Sequence, residues 1–130
     1  MGAQKYVLLV DDEEDFLETT SYWLKAKGYT VKTAHNGKEA LQMISDEEPY
    51  IVFLDINMPE MNGIQILEQI RRTRRHLPVI MVTAAYNDER MERARELGIS
   101  GFFPKQSSLE SLVNILETSI RMIKRESEKS

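Results

Sequence analysis

The sequence predicts an α/β protein in which a doubly wound, five-stranded parallel sheet carries five helices on its two faces. Short runs of β-forming apolar residues alternate five times with segments of helical periodicity. Three of these runs are apolar at every position, which is typical of strands buried on both faces of a parallel sheet. Such an alternation favours an open sheet with helices on both sides and right-handed crossovers.

The five predicted strands differ in strength. The first, third and fourth are continuous apolar runs that stop abruptly at a polar residue, whereas the second alternates and is expected near an edge of the sheet. The fifth is brief. The predicted strands are residues 6–10, 30–34, 51–54, 79–82 and 101–103.

The five predicted helices follow from the spacing of their apolar residues. They are residues 15–27, 38–45, about 64–70, 88–97 and 108–125. Gly28 and Gly98 follow the first and fourth helices, where glycine commonly ends a helix. On the first helix, Leu17 lies off the apolar face formed by Phe16, Thr20, Trp23 and Leu24. We therefore expect it to be exposed, either as a docking residue or as one of the scattered apolar residues that protein surfaces commonly carry.

The composition limits the domain count and the possible functions. A length of 130 residues fits one domain, expected over residues 1–125, with residues 126–130 as a polar tail that could begin a linker. The absence of cysteine excludes disulfides and cysteine nucleophiles and suits a reducing cytoplasm, where we expect the protein to be. The net charge of -4 argues against a nucleic-acid partner, and no apolar run approaches the roughly 20 residues of a membrane span.

Polar residues at the ends of four predicted strands point to a functional site. Asp11 and Asp12 follow the first strand, Asp55 the third, Thr83 the fourth and, two residues on, Lys105 the fifth. Open parallel sheets bind their ligands outside the carboxyl ends of the strands. We therefore expect these side chains to meet at one rim of the sheet.

The chemistry of this set predicts a metal ion and a phosphoryl acceptor. Two like charges about 4 Å apart cost on the order of 4 kcal/mol near a protein surface. Three carboxylates and Lys105 leave a formal charge of -2, which a divalent cation would neutralise. Oxygen ligands suit Mg²⁺, with Mn²⁺ as a substitute. Asp55 would then attack phosphorus in line, while Thr83, Lys105 and the metal stabilise the developing charge.

Four motifs in the expected order extend this prediction. They are Val10-Asp11-Asp12-Glu13, the segment 55–63, Thr83-Ala84, and Phe102 with Lys105 three residues later. In these motifs the chain resembles the receiver domains of response regulators in two-component signalling, over about residues 5–123. The resemblance implies a flavodoxin-like receiver fold with strand order 2-1-3-4-5.

The resemblance also implies a role for each residue. Asp55 looks like the phosphoacceptor, and Asp12 and Asp55 look like direct metal ligands. The backbone carbonyl of Asn57 would be a third ligand, and Asp11 would bind through water or act as an outer acid.

Four further positions match residues that respond to the phosphoryl group in this family. Thr83 and Lys105 look like contacts to its oxygens, with the backbone amide of Ala84 nearby. Phe102 aligns with a switch aromatic that turns inward as the threonine moves.

The resemblance implies partners as well. The phosphoryl donor would be a phosphohistidine on a sensor histidine kinase or a histidine phosphotransfer protein. The fourth helix, fifth strand and fifth helix would present the change to an output domain or a downstream protein, and a phosphorylation-dependent homodimer stays open. Receivers catalyse their own phosphorylation and dephosphorylation, so the classification as an enzyme is left open.

The sequence leaves two alternative functions open. The chain could be a receiver-like interaction module that is not phosphorylated, or a Mg²⁺-dependent phosphohydrolase of the haloacid dehalogenase type. The hydrolase needs an aspartate where this chain has Asn57.

The residue after Lys105 departs from the family pattern. Receivers usually have a proline there, joined to the lysine by a cis peptide bond, whereas this chain has Gln106. Since a cis bond before a non-proline residue costs about 3 kcal/mol, a trans bond or a strained cis bond is predicted.

Overall fold

The computed structural model describes residues 5–84 and 89–129, with side chains as far as Arg125. Strands and helices alternate strictly along the chain. They are β1 (Val7–Val10), α1 (Glu14–Ala26), β2 (Val31–Ala34), α2 (Gly37–Asp46), β3 (Ile51–Asp55), α3 (Gly63–Thr73), β4 (Val79–Thr83), α4 (Arg90–Leu97), β5 (Gly101–Pro104) and α5 (Leu109–Lys129). Within these ranges, no helix has both the length and the hydrophobicity that crossing a membrane requires.

The strands form one parallel sheet in the order β2-β1-β3-β4-β5, which confirms the predicted fold class. The central strands β1, β3 and β4 are buried at every position. As predicted, β2 lies at an edge of the sheet; its end residues Val31 and Ala34 are buried, whereas Lys32 is exposed and Thr33 is half-buried. In the register of the sheet, Val10 is beside Leu54 and Thr83 is beside Pro104, so the strands end at nearly the same level.

Two hydrophobic clusters cover the two faces of the sheet. Leu8 and Val10 of β1 belong to one cluster, and the alternate residues Val7 and Leu9 belong to the other. Helices α2, α3 and α4 contribute buried residues to the first cluster, whereas α1 and α5 contribute to the second. This separation produces the doubly wound architecture, in which alternate side chains of a strand point to opposite faces.

The predicted helix bounds differ from the observed ones at α3, which ends at Thr73 rather than near Ile70, and at α4 and α5. The predicted start of the fourth helix, Asp88, lies outside the described residues, and the described helix begins at Arg90. The fifth helix continues to Lys129, four residues beyond its predicted end at Arg125. The added residues are glutamate, serine and lysine without glycine or proline, so nothing in the sequence ends the helix earlier.

The prediction that Leu17 is exposed, whether as a docking residue or as a scattered surface residue, is wrong. Leu17 is only 1% exposed and belongs to the core cluster beneath α1 and α5. Leu17, Thr20, Ser21 and Leu24 are spaced three or four residues apart and form one buried face of α1. The buried face of the helix is therefore wider than the apolar face predicted from the sequence. Tyr22, which is 75% exposed, is the large residue that α1 presents to solvent.

Candidate functional site

Two buried aspartates lie at the carboxyl ends of β1 and β3. Asp11 is 1% exposed and Asp55 is 3% exposed. In each, Oδ1 accepts a hydrogen bond from the backbone amide two residues later, at 2.8 Å from Glu13 and 3.2 Å from Asn57. Such local bonds stabilise the turn that leaves a strand. The same contact therefore shapes both loops and holds each carboxylate at the rim.

Lys105 connects the carboxylates at this rim. Its Nζ lies 2.9 Å from Asp11 Oδ2, 2.6 Å from Glu13 Oε1 and 3.7 Å from Asp55 Oδ2. The backbone amide of Lys105 donates to the carbonyl of Thr83 at 2.8 Å, which fixes the start of the loop after β5. The Lys105–Gln106 bond is trans, one of the two predicted forms, and Lys105 still reaches the aspartates without the usual proline.

The site alters the pKa values of two of its groups, the Asp55 carboxyl and the Lys105 ammonium. Burial raises the pKa of Asp55 to about 7, and the nearby charges of Asp11 and Asp12 act in the same direction, against Lys105 and the Asn57 amide. Burial lowers the pKa of Lys105, but hydrogen bonds to Asp11 and Glu13 outweigh this effect and raise it above its usual value. Without a further cation, the site thus favours a proton on Asp55.

The oxygen atoms at the rim fit a divalent cation. Asp11, Asp12 and Asp55 each offer a carboxylate oxygen, and these oxygens lie within 4.8 Å of one another. Lys105 approaches both carboxylate oxygens of the buried Asp11: its Nζ lies 2.9 Å from Oδ2 and donates a hydrogen bond to Oδ1 at 3.1 Å. A set of oxygen donors with one exposed member, Asp12, suits Mg²⁺, which binds through few carboxylates and keeps several waters.

The remaining predicted residues lie on β4 and β5. Thr83 is buried as the last residue of β4, and the exposed Ala84 follows it. Phe102 is half-buried on the α4 side of β5, where the guanidinium carbon of Arg95 lies 5.1 Å from its ring centroid. Its neighbour Phe103 is completely buried on the opposite face. Phe102 is therefore the β5 aromatic that retains contact with solvent.

The loop between β3 and α3 folds back onto Asp55. The Gly63 amide donates to the carbonyl of Ile56 at 3.0 Å, and a Cβ on Gly63 would be only 2.3 Å from the Asp55 carbonyl oxygen. Asn62 and Gln65 form a capping box that starts α3 at this point. The segment 55–63 therefore needs glycine at position 63, where the backbone passes close to Asp55, and asparagine at position 62, where the side chain caps α3.

Two residues without a role predicted from the sequence also contact the site. Glu13 Oε1 pairs with Lys105, and Arg90 Nη2 donates to Asn57 Oδ1 at 2.5 Å. The place of Glu13 directly after the acidic pair was a usable signal. Arg90 gave no signal, because 33 residues separate it from Asn57 and only the folded chain brings the two together.

The chain matches a known family and several named proteins. The family model for the response regulator receiver domain matches residues 7–117. Response regulator MprA of Mycobacterium ulcerans (strain Agy99) is 32% identical over 124 residues, which cover 95% of this chain and 53% of that protein. MprA of Mycobacterium avium (strain 104) is also 32% identical, over 92% of this chain and 53% of that protein. The chain thus spans about half the length of these curated relatives.

Solved structures agree with this match. The receiver domain protein (CheY-like) from Methanospirillum hungatei JF-1 superposes with a TM-score of 0.90 at 27% identity, over 95% of this chain and 99% of that chain. Chemotaxis protein CheY4 of Vibrio cholerae gives a TM-score of 0.83 at 29% identity, over 89% of this chain and 98% of that chain. With most of its length matched by the family model, the chain belongs to the response regulator receiver domain family.

Proposed function

We propose that this receiver domain accepts a phosphoryl group on Asp55 and thereby switches a two-component signalling pathway. The observation that carries the proposal is the setting of Asp55. It is a buried carboxylate, 3.7 Å from Lys105 Nζ, and it shares a possible cation site with Asp11 and Asp12. A negatively charged nucleophile must approach a negatively charged donor here, so the cations at the rim are essential.

In the proposed reaction, an Asp55 carboxylate oxygen attacks the phosphorus of a phosphohistidine on a kinase or phosphotransfer protein. The new oxygen–phosphorus bond forms as the phosphorus–nitrogen bond breaks, and the departing imidazole takes up a proton. Lys105 and Thr83 would meet the charge on the equatorial oxygens, with the Ala84 amide nearby. Dephosphorylation is a separate reaction, in which water attacks the phosphorus of the aspartyl phosphate, the bond from phosphorus to the Asp55 oxygen breaks, and inorganic phosphate leaves.

The residues at the rim would hold Mg²⁺, or Mn²⁺ in its place. Asp12, Asp55 and the backbone carbonyl of Asn57 would bind it, and Asp11 would bind through water or act as an outer acid. When bound, the ion neutralises the carboxylates and polarises the phosphoryl oxygens. The carboxylate oxygens of Asp11, Asp12 and Asp55, which lie within 4.8 Å of one another, support this assignment.

Phosphorylation would be read out through Thr83 and Phe102. The added charge attracts the Thr83 hydroxyl, and Phe102 follows inward, which changes the surface of α4, β5 and α5. The half-buried position of Phe102 supports this role, because part of the ring is exposed and would be covered if the ring turned inward. An output domain or separate protein would read this surface. A phosphorylation-dependent homodimer and a cytoplasmic location stay predictions.

Intact-mass measurement after incubation with acetyl phosphate tests the proposal. The wild type should gain one phosphoryl group with Mg²⁺ but not with a chelator, and Asp55→Asn should gain none. Asp46→Asn, which removes an exposed aspartate on α2, should behave as the wild type does. If the wild type gained nothing from acetyl phosphate or a phosphohistidine donor, an interaction module without phosphorylation would replace this proposal.

A further inference from the structure

Asn57 forms a bridge between the proposed phosphoacceptor and α4. Its backbone amide donates to Asp55 Oδ1 at 3.2 Å, and its side-chain Oδ1 accepts from Arg90 Nη2 at 2.5 Å. Arg90 is the first residue of α4. One loop residue therefore contacts the centre of the site through its backbone and the fourth helix through its side chain.

The positive charge of Arg90 lies at the amino end of α4. A cation at the amino end of a helix opposes the helix dipole, and the cap residue Glu89 makes no side-chain hydrogen bond there. A guanidinium group near the rim would also repel a divalent metal ion. If charge were its main influence on the metal site, Arg90 would weaken metal binding.

We propose that Arg90 is a positioning residue for the metal site and acts through Asn57. By holding the Asn57 side chain, it fixes the adjacent backbone, so that the Asn57 carbonyl is already placed for the metal. Partners that orient a ligand commonly contribute about 10- to 100-fold to metal affinity, and a partly exposed partner contributes less. The inference rests on the proposed function, in which this carbonyl is a ligand.

The positioning role and a purely electrostatic role predict opposite changes in metal affinity when the Arg90 side chain is removed. Removal of a nearby positive charge should tighten the binding of a cation. Removal of a positioning contact should weaken it, because the carbonyl must then be ordered when the metal binds. The direction of the change in affinity therefore distinguishes the two roles.

The test is the affinity for Mn²⁺, measured by electron paramagnetic resonance of the free ion. Arg90→Ala should weaken binding by about 3- to 10-fold. Asn57→Ala should weaken it similarly, because it keeps the carbonyl but loses the anchoring side chain. In the Asn57→Ala background, Arg90→Ala should weaken binding no further, since the side chain through which Arg90 is proposed to act is already absent. Arg93→Ala, which removes the same charge from α4 and an ion pair to Glu68, is the matched control and should bind Mn²⁺ as the wild type does.

A second readout needs no metal. The backbone amide of Asn57 should exchange its hydrogen faster in Arg90→Ala than in the wild type or Arg93→Ala, while core amides of β3 remain protected. This comparison separates a loosened loop from general unfolding.

Several outcomes would overturn the positioning role. Unchanged or tighter Mn²⁺ binding by Arg90→Ala would refute it and leave the metal site intact, as would further weakening in the Asn57→Ala background. Unchanged exchange of the Asn57 amide would also refute it. If the wild type bound no more Mn²⁺ than Asp12→Asn does, the proposed metal site would fail together with this inference.

Discussion

At the scale of single residues, Asp55 holds a charge that its surroundings only partly stabilise. Its pKa is raised to about 7 from an ordinary value of 3.8, first by burial and then by Asp11. The folded protein therefore keeps a proton on Asp55 at a pH where the unfolded chain has lost it. Stability from this group is complete below about pH 4 and is lost as the pH rises to about 7.

Replacement of this carboxylate should stabilise the metal-free protein. At pH 8, Asp55→Asn should increase the free energy of unfolding by about 2 kcal/mol, because it removes a buried charge that Asp11 repels. Urea unfolding in the presence of a chelator measures the difference. The gain should shrink toward pH 5, where Asp55 is already protonated in the folded wild type. A variant less stable than the wild type at pH 8 would show that Lys105 outweighs burial.

Leu17 gives a second prediction at this scale. Because its side chain is completely buried against α5 and the sheet, Leu17→Ala should lower the free energy of unfolding by about 2–5 kcal/mol. Tyr22→Ala, on the exposed face of the same helix, should change it by less than about 0.5 kcal/mol. Urea denaturation compares the two variants. Equal effects would mean that Leu17 is not a core residue.

At the scale of elements, the strands could be predicted better than the ends of helices. A run such as Ile51–Asp55 is apolar until the polar residue that ends it, so its composition marks its boundary. The face of α1 was harder to predict, because Phe16 and Leu17 are adjacent and only packing against α5 decides how deeply each is buried. Helix α5 has no stop signal in its sequence, and its predicted end was therefore arbitrary.

The loop between β3 and α3 brings Gly63 into close contact with the backbone of Asp55 and Ile56. Gly63→Ala should destabilise the protein by about 1–3 kcal/mol, because the new Cβ would collide with the backbone of Asp55 and Ile56. Gly101→Ala is the control, since its Cβ would meet only a side-chain carbon of Ile80 at an ordinary 3.7 Å. Thermal unfolding compares the two. A Gly63→Ala protein as stable as the control would mean that the loop can move away from Asp55.

At the scale of the whole molecule, the parallel topology assembles the site. Asp11, Asp55, Thr83 and Lys105 are distant in sequence, but their strands end at one rim, and this rule allowed the set to be predicted from the sequence. This rule predicts the location of residues that directly follow a strand. It does not locate residues that reach the rim from a helix, and for this reason the contact from Arg90 to Asn57 required the structure.

The account depends most on Asp55 as the phosphoacceptor, and borohydride reduction tests this claim directly. Borohydride reduces an aspartyl phosphate to an alcohol, so the modified aspartate becomes homoserine, which peptide mass spectrometry locates. After incubation with a phosphodonor and Mg²⁺, homoserine is expected at position 55 and at no other aspartate. Homoserine at position 11 or 12, or a phosphoryl gain in intact mass without homoserine at position 55, would contradict the account.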